Sequence, residues 1–381
     1  MNLLELYQTK YTDSVRIYHN ETLDLYSITY LHGGVNFANP YIAMARGLVL
    51  DKNGNIVLRG FSKFFNYLQL HAEHYKKQYT DEWINEHDNF SSTNVDKKYH
   101  AIEKLDGSLV LMGEYKNKAV LSSTSTTNQE TDLLSTAYKN LVDKNKDLTE
   151  RILNYCKETG QTLVFEYVSP MNQVVVKYEK TDYVLIGIVN NHTGAYMSQD
   201  DLDSIATEFG FTRPKRYMKT LQDLTTDQRI LKNHEGYIVF NEYGNLIKFK
   251  TDDWFAGSDQ SDLFFGTQLT KKKVFIILDA YIDDKIDDLY ARQNQNKELA
   301  KQDTIGTVIK NINYIENLIQ NIIDNDDNWT DGCHVFATYD RQIASCLMKL
   351  KINRTLFSKQ SDSKISAANT LLLNLLNVNC K

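Results

Sequence analysis

The chain has 381 residues, 42% of them hydrophobic and 24% charged, with a formal net charge of −6 at pH 7. That composition supplies a sizeable core, and the length suits two domains better than one. An acidic balance excludes a protein that coats nucleic acid non-specifically, since such binding rests on many Lys and Arg contacts to phosphate; it leaves room for a local basic cleft.

The N-terminus, Met1-Asn2-Leu3-Leu4-Glu5, lacks the basic and apolar regions of a signal peptide. The longest apolar runs, such as Tyr183 to Val189, are too short to cross a bilayer, so an intracellular protein without a membrane partner is expected. Cys156, Cys333, Cys346 and Cys380 show no C-x-x-C spacing and read as reduced, passive thiols. The histidines are scattered without metal-ligand spacing, and His71 with His74 reads as a solvated or helix-capping pair.

From about residue 23 to 254, short β-type runs alternate with turn residues, the pattern of antiparallel hairpins. The first hairpin joins Gly47–Leu50 to Asn55–Arg59 around the Asn53-Gly54 turn signal. A second pairs Ser108–Met112 with Lys118–Leu121. Helical spacing of Leu133, Leu134, Ala137, Leu141, Leu148, Ile152 and Leu153 predicts helices across Thr131–Tyr155, and Gln199–Phe209 predicts another. A third hairpin runs from Gly236–Phe240 to Asn245–Lys250 around Tyr243-Gly244. After Trp254 the alternation stops, and helical spacing recurs over Val274–Tyr290, Thr307–Ile323, Arg341–Leu350 and Ile365–Leu376, with Asp324–Asn328 as an interhelical loop. The expected fold class is α+β: antiparallel sheets with flanking helices over residues 1–254, then an all-helical C-terminal domain over 255–381.

The sharpest chemical signal is Glu103-Lys104-Leu105-Asp106-Gly107-Ser108, a K-x-D-G element between two β-type runs. Alone it is weak, because Asp-Gly is common in turns and a lysine beside it is usually solvated. Alternation in Leu163–Val168 puts Glu166 on the face of Val164 and Val168, where a carboxylate is costly unless paired. In Leu246–Thr251, Lys248 and Lys250 share one face of a strand: a solvated outer face if the strand stands alone, a polyphosphate cradle if it does not. Arg46 precedes the Asn-Gly hairpin and Lys63 follows it, so its closure brings two cations to one end of a sheet. Glu235, at the mouth of the Gly236 strand, could hold Mg²⁺ or pair with a lysine.

Taken in order, Ala45-Arg46-Gly47, Lys63-Phe64-Phe65-Asn66, Lys104-Leu105-Asp106-Gly107-Ser108, Phe165–Pro170, Glu235-Gly236-Tyr237 and Lys248-Phe249-Lys250 followed by Trp254 resemble the covalent nucleotidyltransferase superfamily, and within it the bacteriophage RNA ligase 1 family of the tRNA-repair type. The resemblance spans roughly residues 20 to 290. It implies an ATP-dependent RNA ligase in which Lys104 takes up AMP, Glu166 partners the AMP ribose, and Arg46, Lys63, Lys248 and Lys250 hold phosphates. It further implies that Glu235 serves a catalytic Mg²⁺ or Mn²⁺, that Tyr30 contacts the nucleotide, and that Asp283 binds metal. The implied partner is RNA with 5′-phosphate and 3′-hydroxyl ends, such as a nicked tRNA, and the implied protein is a phage-encoded monomer acting in the host cytoplasm.

One stretch departs from the family pattern: the strand after the nucleophile usually brings a lysine to the triphosphate, whereas here Ser122–Thr126 offers hydroxyls without charge. Phe255 stands near where the family often has a tyrosine and is given no role. An ammonium cannot attack phosphorus, so the nucleophile must lose a proton, and neighbouring cations and desolvation both favour the neutral amine. The rivals are a DNA ligase or capping enzyme, expected to continue into a β-barrel after the K-x-K strand, and a non-catalytic nucleic-acid-binding relative. Lys271-Lys272-Lys273 reads as either an RNA contact or a solvated helix start.

Overall fold

The structure is a computed structural model that describes residues 1–31, 35–71, 73–88, 90, 96–124, 126–127, 131–172, 175–241, 243–257, 269–282, 286, 288–290, 304–353, 356–357, 366–376 and 378. It forms two compact units. The first comprises Met1–Leu31, Val35–Tyr67 and Tyr79–Trp254, and the second is drawn chiefly from Leu68–Gln78 and Phe255–Lys381.

The strands of the first unit, in chain order, are β1 (Val15–Asn20), β2 (Leu25–Tyr30), β3 (Leu48–Asp51), β4 (Ile56–Leu58), β5 (Phe65–Asn66), β6 (Lys98–Lys104), β7 (Ser108–Tyr115), β8 (Lys118–Ser122), β9 (Gln161–Val168), β10 (Asp182–Asn190), β11 (Arg216–Thr220), β12 (Gly236–Phe240) and β13 (Leu246–Lys250). They make a sheet β1-β2-β3-β4, a sheet β10-β9-β7-β8 and a five-stranded sheet β11-β6-β12-β13-β5. Pairing is antiparallel throughout except for β5 beside β13.

Side-chain alternation decides how the layers stack. In β3, Leu48 and Leu50 face Leu4, Tyr7 and Ile28 beneath the N-terminal helix Leu3–Thr9, while Val49 faces Leu25, Leu58, Leu111 and Val164. The first sheet is therefore apolar on both sides, and one side lies on the β10-β9-β7-β8 sheet. The opposite face of that second sheet, through Val110, Met112, Leu163 and Phe165, meets Leu134 and Ala137 of helix Asp132–Tyr138 and Ile152 and Cys156 of helix Lys146–Thr159. Burying a leucine or phenylalanine in such layers contributes roughly 1.5–3 kcal/mol each. The five-stranded sheet has its own core of Phe90, Tyr99, Ala101, Leu224, Tyr237, Val239, Ile247 and Phe249.

Local signals act where expected. The β7–β8 turn places Lys116 and Asn117 at φ 53° and 62°, the positive pair that lets a two-residue loop follow the strands' twist. Helix Lys146–Thr159 starts at Asn145, whose side chain accepts the Leu148 amide proton, and stops at Gly160 with φ 64°. Helix Gln199–Phe209 uses Ser198 and Gly210 in the same way. Two elements precede the β-rich region expected from residue 23: the Leu3–Thr9 helix and β1.

In the second unit the described helices beyond residue 257 are Lys271–Ile282, Thr304–Asn325, Gly332–Thr338, Arg341–Asn353 and Ala367–Leu375, and the Leu68–Gln78 segment adds the short helix Glu73–Lys76. The long helix buries Ile305, Val308, Ile309, Ile312, Ile315 and Ile319, a stripe at helical spacing. One expectation is corrected here. The lysine triplet is not solvated as a whole, because Lys273 is buried in the first turn of its helix. Among the described residues no helix is long and apolar enough to cross a membrane.

Candidate active site

The chain leaves the five-stranded sheet at Lys104, the last residue of β6, and enters the neighbouring sheet at Ser108, the first of β7. The K-x-D-G element is thus the turn that joins two sheets. Register then gathers its partners: Gly236 stands opposite Lys104 on β6 and opposite Lys250 on β13. Glu235, one residue earlier, lies between the two lysines. Its Oε2 is 2.7 Å from Lys104 Nζ and its Oε1 is 3.0 Å from Lys250 Nζ. Glu235 is 3% exposed and Lys250 6%, while Lys104 keeps 20%, so the nucleophile candidate is the member of the trio that a ligand can reach. A Cβ on Gly236, at φ 139°, would lie 1.8 Å from the Phe249 carbonyl oxygen, which is why this position is glycine.

Lys248 and Lys250 share a face as alternation requires, but that face is covered. Both side chains are buried, with Lys248 Nζ 5.3 Å from the centre of the Phe64 ring and Lys250 Nζ 3.6 Å over Trp254. The solvated-face reading of this strand does not hold. Ammonium groups stacked on aromatic faces gain electrostatic stabilisation from the ring quadrupole.

Glu166 approaches from β9, opposite Leu109 of β7. Its Oε1 accepts the Gly107 amide proton at 3.0 Å. Burial lifts the carboxyl to about 7; Lys104 pulls the other way, Glu235 and Asp106 push further up, and the Gly107 amide favours the carboxylate. Gly107 has no room for a side chain, since a Cβ would sit 2.2 Å from the Tyr167 carbonyl oxygen.

Asp106, 3% exposed, is spent on structure. Its Oδ2 accepts the Val175 and Val176 amide protons at 2.7 Å each, and its Oδ1 accepts the Trp254 indole proton at 2.9 Å. Its own amide donates to the Tyr178 hydroxyl at 2.8 Å. A carboxylate with this many donors holds the turn rigidly and has little capacity left for chemistry.

Arg46 and Lys63 meet at Tyr30. Arg46 Nη1 donates to the Tyr30 hydroxyl at 3.3 Å, and Lys63 Nζ lies 5.5 Å from the Tyr30 ring, 5.2 Å from Phe37 and 5.3 Å from Phe65. Phe65 and Asn66 pair with Ile247 and Lys248, so the same short segment connects this group to the lysine strand. The Ser/Thr stretch folds beside it: Thr124 offers its carbonyl to the Gly47 amide at 3.1 Å, and Ser123 and Thr126 hydroxyls lie 3.0 Å apart. Ser125 and Asp283 lie outside the described residues.

Sequence reasoning passed over Tyr178 and Asn233, and quoted Trp254 only as the residue that follows the K-x-K strand; all three hold this arrangement. Tyr178 and Trp254 both bind Asp106, as above. Asn233, at φ 49°, donates its amide to Asp253 Oδ2 and accepts the Lys177 amide proton on Oδ1, 2.8 Å in each case. Asparagine is the ordinary non-glycine choice for a left-handed position, a faint signal that spacing alone does not interpret. Among the described residues no three His, Cys, Asp or Glu gather as metal ligands, and Glu235 is held between two lysines.

A family profile described as RNA ligase matches residues 44–273, which is more than half of the chain and includes the motif residues from Arg46 to Lys250 but not Tyr30. The chain belongs to the RNA ligase family. This RNA ligase family member is 23% identical over 281 residues to a protein of Thermovibrio ammonificans provisionally described as an RNA ligase, an alignment covering 70% of this chain and 66% of that relative's length. Among solved structures it is similar to an archaeal ATP-dependent RNA ligase, at 12% identity and a TM-score of 0.47 over 99% of this chain and 96% of the other. It is also similar to an Aquifex aeolicus protein provisionally described as an ATP-dependent DNA ligase, at 13% identity and a TM-score of 0.45 over 83% and 80%. The family membership rests on the profile match.

Proposed function

We propose that this member of the RNA ligase family uses ATP to join RNA ends through a covalent Lys104–AMP intermediate. The observation that carries the reading is the Lys104–Glu235–Lys250 trio: a reachable amine on a rigid K-x-D-G turn, its ammonium held by a buried carboxylate that a second, buried lysine shares.

Lys104 Nζ, once deprotonated, attacks the α-phosphorus of ATP; the P–N bond forms, the P–O bond to pyrophosphate breaks, and pyrophosphate departs with the electron pair. An oxygen of an RNA 5′-phosphate then displaces Lys104 from the AMP, and a 3′-hydroxyl finally displaces AMP to seal the strand. Lys248 and Lys250 stabilise charge on the transferring phosphate, and Arg46 and Lys63 take the outer phosphates. Glu166 orients the ribose. The domains divide the labour, with residues 1–254 transferring adenylate and 255–381 recognising RNA.

Glu235 is the residue that would hold a divalent cation. A hard carboxylate oxygen suits Mg²⁺ or Mn²⁺, and Mg²⁺ commonly takes one or two protein carboxylates and fills its shell with phosphates and water. When bound, the cation neutralises phosphate charge. The RNA is one with 5′-phosphate and 3′-hydroxyl ends, and a tRNA nicked in its anticodon loop, sealed by a phage-encoded monomer in the host cytoplasm, is the substrate the motif set favours.

Incubation with α-labelled ATP and Mg²⁺, followed by a denaturing gel, tests the first step. Wild type should carry acid-labile label, and Lys104→Ala should carry none while melting at an unchanged temperature. Label on the alanine variant would reject Lys104 as nucleophile. Sealing assays on 5′-phosphorylated single-stranded RNA, DNA and nicked duplex separate the RNA reading from a DNA ligase.

A further inference from the structure

Two consecutive amides of the nucleophile turn each engage a side-chain oxygen. Asp106 N–H meets the Tyr178 hydroxyl at 2.8 Å, and Gly107 N–H meets Glu166 Oε1 at 3.0 Å. Acceptors on adjacent amides are neighbours, separated by no more than one peptide unit and two hydrogen bonds. A phenol and a carboxylate are therefore anchored one residue apart on the turn that carries Lys104. Burial pushes the phenol's pKa up, the bond from the Asp106 amide opposes it, and the carboxylates of Asp106, Glu235 and Glu166 push it further up.

The Tyr178 oxygen receives the Asp106 amide proton through a lone pair, and among the described residues none accepts the phenol's own proton. Tyr178 is half-buried, so a ligand bound beside it can take that proton in place of water. The local chemistry specifies what the partner is. A carboxylate accepts and cannot donate; a protonated phenol whose lone pair is already used donates. Anchored on adjacent amides, they can serve two adjacent hydroxyl groups, one giving its proton to Glu166 and the other accepting from Tyr178. The cis-diol of a ribonucleotide presents that pair, and a deoxynucleotide lacks one half of it.

We propose that Tyr178 donates a hydrogen bond to a ribose hydroxyl of bound ATP, beside the hydroxyl held by Glu166, and thereby makes the site select a ribonucleotide over its deoxy counterparts. This rests on the reading of Glu166 as the ribose partner and adds a specificity-determining residue to it. A site built to bond a hydroxyl discriminates against the analogue lacking it, because its own polar group is then left unpaired.

The test is single-turnover formation of the lysyl adduct by wild type and Tyr178→Phe, each with ATP, 2′-deoxy-ATP and 3′-deoxy-ATP. Wild type should work less well with at least one deoxynucleotide. Tyr178→Phe should lose roughly tenfold with ATP, the worth of one hydrogen bond, and lose almost nothing further with the deoxynucleotide that already lacks the contact. The substitution also deprives the Asp106 amide of its acceptor, but that loss is common to all three nucleotides and cancels in the comparison. An equal penalty with all three would overturn the proposal and leave Tyr178 as a support of the turn. So would a wild type indifferent to both ribose hydroxyls, a measurement that needs no variant. A wild type that forms no adduct with ATP overturns the proposed activity and this contact with it.

Discussion

Glu166 shows most clearly how the site trades stability for function. Its carboxyl titrates near 7 in the folded chain against an ordinary value of 4.5, so between those values the folded state binds more protons than the unfolded one. Stability contributed at this position is full below pH 4.5 and falls as pH rises toward 7. Glutamine keeps the acceptor for the Gly107 amide and never ionises. Glu166→Gln should therefore be the more stable protein at pH 8, by on the order of 2 kcal/mol, with the advantage shrinking toward pH 5. Urea unfolding of both proteins at the two pH values measures this. An advantage that grows toward acid would mean that Lys104 stabilises the carboxylate more than burial penalises it. The same substitution should impair adenylylation at every pH, since the proposed ribose partner is changed.

Several segments meet at the turn that carries Lys104, and the bonds between them are local in space but distant in sequence. Asn233 ties residue 177 to Asp253, and Asp106 ties residues 175 and 176 to Trp254. Asn233→Ala removes the bond from the Lys177 amide and puts a residue ill-suited to a left-handed conformation at φ 49°. The expected loss is about 1–3 kcal/mol, read as a lower melting temperature, with slower adenylylation because the segment bearing Tyr178 is loosened. Asn233→Gly relieves the strain and still lacks the side-chain bond, so it should fall between the two. Equal melting temperatures for all three proteins would show that Asn233 carries no structural weight.

The second unit is not a simple C-terminal appendage, because Leu68–Gln78 belongs to it. Leu70 and Tyr75 in that segment are buried, and the Tyr75 ring packs edge-on against Tyr290 at 5.6 Å. A chain ended after Trp254 loses the partner of Tyr75 and exposes apolar surface in the middle of its sequence. Such a truncation should be markedly less soluble and melt lower than the full chain, and Tyr75→Ser within it should recover solubility. A truncated chain as soluble and as stable as the intact protein would show that Leu68–Gln78 needs nothing beyond residue 254.

The three hairpins, the helices at Asp132–Thr159 and Gln199–Phe209, the change of texture at Trp254 and the ordered motif residues were all legible in the chain, because each depends on spacing, turn chemistry or alternation within a few residues. Alternation also reported correctly that Lys248 and Lys250 share a face. It could not say what lies opposite that face, and so could not choose between solvent and the Phe64 and Trp254 rings. The sharing of Glu235 by Lys104 and Lys250, the anchoring of Asp106 by residues 69, 70 and 148 positions away, and the binding of the Asp106 and Gly107 amides by Tyr178 and Glu166 come from strand register and sheet packing. Those contacts join residues whose separation along the chain carries no period, which is the physical reason that folding alone brings them into view.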